Sequence, residues 1–66
     1  MLLEEIKKTV ESGKKVYWNT GSYEVRKDSL GQWLVVYTGD NYGNCWGLTH
    51  QDGKTLNGKP WEFYTP

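Results

Sequence analysis

Apolar residues stand at positions 2, 3, 6 and 10 of the chain, and charged residues at 4, 5, 7, 8 and 11. Spacings of three and four put Leu2, Leu3, Ile6 and Val10 on one stripe, which predicts a short amphipathic helix over residues 2–12. Glu4 ahead of Lys8 is the favourable i,i+4 orientation, and acidic residues sit in the first turn. Gly13 suits the left-handed residue that follows a helix end. A stripe of three turns is marginal in isolation, so the helix must dock on an apolar surface.

After Gly13 the period changes to two, interrupted by turn residues, and the chain reads as a series of strands. "KKVYWN" places Val16 and Trp18 on one face and Tyr17 on the other, and "NTGS" reverses the chain into "YEVRK", with Tyr23 and Val25 sharing a face. "DSLG" is a second turn, leading into "QWLVVYT", where Trp33, Val35 and Tyr37 oppose Leu34 and Val36. Apolar on both faces, this segment reads as the central strand. "GDNYGN" is a third turn, and "CWGLTH" a fourth strand with Trp46, Leu48 and His50 opposed to Cys45, Gly47 and Thr49.

The closing "QDGKTLNGKPWEFYTP" carries turn signals at Asp52-Gly53 and Asn57-Gly58. Pro60 suits either the start of a short helical turn or the start of an edge strand "WEFY". With no internal repeat and no linker, residues 1–66 form a single small α+β domain. Its N-terminal helix packs on an antiparallel sheet of four strands, or five if "WEFY" is extended.

Size changes the picture, because a chain of 66 residues buries a small fraction of its surface and every apolar side chain counts. Four Trp, five Tyr and one Phe make up 15% of the residues, so aromatic rings must supply much of the core. One cysteine and one histidine provide neither a disulfide nor a four-ligand zinc site. "MLLEEIKKTV" has no basic leader and no long apolar run, which predicts neither a signal peptide nor a membrane span and hence a cytoplasmic location. Lys plus Arg balance Asp plus Glu at eight each, which removes the global positive field of a non-specific nucleic-acid binder but leaves room for a local basic patch.

The segment "GNCWGLTHQDG" holds the only cysteine and histidine. In an extended strand Cys45 and His50 leave opposite faces about 17 Å apart, too far to share a proton. Its "CW" echoes papain-like proteases, but the glycine-rich approach, the following helix and a distant histidine are missing. His50 and Asp52 share a face, yet no serine or threonine is placed as their nucleophile, and Asp52-Gly53 reads as a turn. Asp40, Asp52 and Glu62 are scattered carboxylates without metal-ligand spacing, and "DGKTLNG" lacks the Walker pattern. The sequence thus predicts no catalytic residue, metal site or cofactor, and a protein that is not an enzyme.

One helix covers one face of a sheet. Tyr17 and the second face of the third strand therefore need another cover: the C-terminal segment with Leu56, Trp61, Phe63 and Tyr64, a second copy in a homodimer, or a foreign protein. Tyr17, Trp33, Tyr37, Trp46, Trp61 and Tyr64 are the candidate binding residues, because Trp and Tyr anchor protein interfaces. The alternative is single-stranded nucleic acid or a nucleotide, stacked on these rings beside a basic edge of Lys14, Lys15, Arg26 and Lys27. Such lysines also protect an edge strand against unwanted pairing.

The run "SGKKVYWNTGSYEVRKDSLGQWLV" followed by "CWGLTHQDGKTLNGKPWEFY" resembles small proteins encoded in tailed-phage and prophage genomes. In these a helix "EEIKK" leads into "V.W....Y.V..D..GQ" and the chain closes with "GLT..DG.TLNGKP..F". The likeness spans almost the whole chain, and the closing motif is its specific part. It implies a shared origin and a single fold rather than a mechanism. Trp46 and Trp61 depart from it, standing where smaller or polar residues are expected. By analogy with phage accessory proteins of this size, the resemblance implies an inhibitor or adaptor that binds a host protein.

Overall fold

The computed structural model describes residues 1–39 and 44–66. Among the described residues a single helix, α1 (Leu3–Glu11), precedes five strands: β1 (Tyr17–Trp18), β2 (Thr20–Lys27), β3 (Trp33–Tyr37), β4 (Cys45–Gly47) and β5 (Phe63–Tyr64). A 3-10 turn, Pro60–Glu62, leads into β5. The fold is α+β, with an antiparallel sheet in the order β4-β3-β2-β1-β5. Both readings of the closing segment hold in succession: Pro60 starts a helical turn, and Phe63 and Tyr64 form an edge strand.

α1 buries Ile6 completely, with Leu3 and Val10 packed beside it. Leu2 does not join this stripe. It precedes the first helical residue and is 63% exposed, and the Glu5 carboxylate accepts its backbone N–H at 3.0 Å. At the other end Lys14 N–H donates to the Thr9 carbonyl and Gly13 N–H to that of Val10. This paired closure requires the left-handed backbone that Gly13 adopts at φ 91°.

The first hairpin is tighter than the sequence suggests. Asn19 alone, at φ 63°, reverses the chain, and Gly21 and Ser22 belong to β2 rather than to a turn. Asn tolerates the left-handed region that such a reversal needs. The register is irregular: Tyr17 opposes Glu24 while Trp18 opposes Thr20. The second turn is as expected. Asp28 Oδ1 accepts the N–H groups of Leu30 and Gln32 at 2.9 and 2.8 Å, and Gly31 has φ 82°. The centre of the third turn, Asp40 to Gly43, lies outside the described residues.

β3 is interior, flanked by β2 and β4, but β2 is the middle strand of the five. β4 ends at Gly47 instead of running to His50, because the chain changes partner there. Leu48 N–H still reaches the Trp33 carbonyl, whereas Thr49 pairs with Leu56. β4 and β5 lie at opposite edges, so residues 48–62 must cross the sheet. Leu48 is fully buried and Leu56 packs against the core, which puts the crossing on the helix side.

The core is one cluster of Ile6, Val16, Val25, Val35, Leu48 and Phe63, each at most 2% exposed. Val25 opposes Val35, and Val35 opposes Trp46, so period-two alternation places this set on one face as the sequence predicts. The C-terminal segment covers that same face rather than the opposite one.

Candidate interaction surface

The rings named by the sequence divide between the two faces of the sheet. Trp33 lies on the helix side, half-buried, with Lys7 Nζ at 5.9 Å and Lys27 Nζ at 5.5 Å from its centre. Trp46 meets Trp18 edge-on at 5.3 Å and Tyr23 at 5.5 Å, and Tyr23 meets Tyr37 at 5.1 Å. Trp18 and Tyr23, themselves 5.1 Å apart, complete an aromatic group, of which Trp18, Tyr23 and Trp46 pack against the buried core. Edge-on and tilted rings at these separations attract through their quadrupoles, beyond the area they bury. Three candidates, Trp33, Tyr37 and Trp46, are therefore half-buried packing residues first. Tyr37 also folds over Gly39, where a Cβ would run into the phenol ring.

Tyr17 and Tyr64 occupy the face away from the helix. They are cross-strand partners with ring centres 5.8 Å apart. Continuing through the register, Tyr17 opposes Glu24, Glu24 opposes Val36, and Val36 opposes Cys45. One row thus runs Tyr64, Tyr17, Glu24, Val36, Cys45 across all five strands. Arg26, Leu34 and Gly47 form the neighbouring row. The charges within this face answer each other: Arg26 donates to Glu24 Oε2 at 3.4 Å, and the Glu24 side chain is only 16% exposed. Trp61 projects from the 3-10 turn at 77% exposure, with Lys59 Nζ 6.0 Å from its ring centre.

The proposed basic edge does assemble. Lys14, Lys15, Arg26 and Lys27 line a groove of about 450 Å³ together with Glu11 and Glu24. Two of these cations are paired, Arg26 with Glu24 and Lys27 with Glu11 at 3.5 Å. A second groove, of about 700 Å³, lies beside it, lined by Lys8, Thr9, Ser12, Lys14, Lys15 and the Thr65-Pro66 segment. The sequence marks Lys8 only as the helical partner of Glu4 and not as a site residue, because only the closure at Gly13 turns Lys14 and Lys15 back beside it.

Cys45 is an exposed free thiol on edge strand β4, and His50 is exposed at the head of the Thr49–Leu56 loop. Asp52 organises that loop. Its carboxylate accepts the Thr55 hydroxyl at 2.6 Å, the Thr55 N–H at 2.9 Å and the Lys54 N–H at 2.8 Å. The Thr55 hydroxyl, these two amides and the nearby His50 hold the carboxyl down at about 2. Asp52 is thus a turn residue, as its pairing with Gly53 indicates. Among the described residues no three His, Cys, Asp or Glu side chains converge as metal ligands, and no helix is long and apolar enough to cross a membrane. No protein-family model, curated protein or solved structure matches this chain, so its functional reading rests on the surfaces just described.

Proposed function

We propose that this chain is a small non-enzymatic binding protein that docks on another protein through the sheet face opposite its helix. The observation that supports this most is the row of Tyr64, Tyr17, Val36 and Cys45 with Leu34 alongside, interrupted only by Glu24 and its own partner Arg26. The helix and the 48–62 crossing both lie on the other side. Aliphatic side chains between two tyrosines suit the apolar centre of a protein interface, and the internal charge pair lets the face lose water without stranding a charge. Trp61 is a further anchor, exposed at the turn before β5.

The partner in this reading is a host protein, the role an inhibitor or adaptor by analogy with phage accessory proteins of this size, and the setting the cytoplasm, where Cys45 stays reduced. Light scattering over a concentration series, followed by affinity capture with wild-type and Val36→Glu protein, tests it. The expected result is a monomer that retains a host protein through the wild-type face and loses it on substitution, with unchanged circular dichroism. A wild-type monomer that retains nothing, or equal retention by both proteins, overturns the reading. A concentration-dependent dimer abolished by Val36→Glu reassigns the face to self-association.

A further inference from the structure

A net charge of zero conceals a strongly uneven distribution. Lys8, Lys14, Lys15, Arg26 and Lys27 line the two adjoining grooves, against only Glu11 and Glu24. Five of the eight basic residues therefore share one flank with two of the eight acidic ones. Both carboxylates lie in the smaller groove, each with its own cation. Among the described residues the larger groove has no carboxylate side chain in its lining, and Lys8, Lys14 and Lys15 have no ion-pair partner.

Lys14 and Lys15 line both grooves, so the cations form a band and not a cup around one point. A cup fits a single anion, whereas a band fits a chain of regularly spaced charges. Lysine presents a compact, freely oriented ammonium that serves phosphate oxygens as a point charge, and the larger groove contains no arginine fork of the kind that grips carboxylates in two places. The exposed side of α1 carries Glu4, Glu5 and Glu11, so it is not a helix built to enter the major groove of a duplex.

We infer that the groove between the end of α1 and the Thr65-Pro66 segment binds the phosphate backbone of single-stranded nucleic acid through Lys8, Lys14 and Lys15. This site is independent of the open sheet face, and neither reading depends on the other. Three lysines on one strand give a modest affinity that falls with salt, with a logarithmic slope of about −2 from roughly 0.7 per phosphate contacted.

The test is the fluorescence anisotropy of a labelled oligothymidylate of about ten nucleotides, titrated with the full chain at about 20 mM and about 150 mM salt. The double substitution Lys14→Glu and Lys15→Glu is compared with Lys54→Glu, a control in the Thr49–Leu56 loop that lines neither groove, and circular dichroism verifies that each variant is folded. The expected result is binding at low salt, the stated slope, at least a tenfold loss in the double variant and less than a twofold change in the control. No anisotropy change at low salt overturns the inference, as does equal loss in the two variants. Competition separates the anion sources. Polyglutamate displacing the oligonucleotide at equal charge concentration identifies an acidic protein surface as the ligand, and inorganic polyphosphate binding more tightly than the oligonucleotide identifies free phosphate chains; either outcome overturns the nucleic-acid assignment.

Discussion

The Tyr17 and Tyr64 rings, 5.8 Å apart and inclined at 54°, join the first strand to the last on the sheet face that the helix leaves uncovered. Because neither ring belongs to the buried cluster, the pair contributes about 0.5–1.5 kcal/mol as an aromatic contact. Tyr17→Ser and Tyr64→Ser should each lower stability by that amount plus the area term for the part of the ring packed on the sheet, about 1–3 kcal/mol in all in urea titrations. Retention of the protein partner should fall at least tenfold, as for an interface anchor. A loss of folding instead would show that the rings are structural.

Gly58 stands at φ 147°, a backbone that side chains rarely adopt, and a Cβ there would lie 3.1 Å from Trp18 Nε1 and 3.3 Å from Phe63 Cε2. Gly58→Ala should therefore destabilise the fold by about 1–3 kcal/mol, combining backbone strain with displacement of the indole. Tryptophan fluorescence during urea unfolding measures both effects, and an unchanged midpoint would mean that the β1–β5 edge gives way freely.

Leu48 is fully buried where the chain leaves β4. Leu48→Ala should cost about 2–5 kcal/mol, a large share of the total available to a domain of this size. The variant should populate unfolded chains at room temperature, visible as collapse of amide proton dispersion. Val10→Ala, at a half-buried site on the helix, should cost less.

The carboxyl of Asp52 is held at about 2, below its ordinary 3.8, chiefly by the Thr55 hydroxyl. A depressed carboxylate contributes stability above its unfolded value and loses it as pH falls through the folded one. The Thr49–Leu56 loop should therefore keep its form at pH 4 and loosen toward pH 2. The Thr55 amide resonance should titrate with a midpoint near 2, and Asp52→Asn should abolish the transition with little change in global melting. A midpoint near 3.8 would show that these hydrogen bonds do not persist in solution.

Local periodicity carried much of the fold. Leu3, Ile6 and Val10 at helical spacing, and Val16, Val25 and Val35 on alternating strands, define the buried face before any coordinates, because each signal lies within a few residues. The reversal at Asn19 was hidden by Gly21 and Ser22, whose turn chemistry is real but unused inside β2. Strand order was not legible either, since placing β5 beside β1 depends on Leu48, Leu56 and Phe63 meeting over long sequence distances. Six rings were named for the surface, yet Trp33, Tyr37 and Trp46 serve the packed side. Alternation says which residues share a face, but not which face the crossing segment will cover.

Phe63 closes the core from the last strand, packed with Ile6 and Val16 near the other end of the sequence and Val35 midway along it, and this sets an order as well as a place for folding. Val25 and Val35 meet through neighbouring strands at short sequence separation, and such local pairings form early. Phe63 must instead reach β1 across most of the chain, and closing so long a loop comes late. Until it does, β1 is an open edge, and unpaired edges invite association with other chains. The vulnerability of this protein to aggregation and proteolysis is thus concentrated in chains that have folded everything but their last strand.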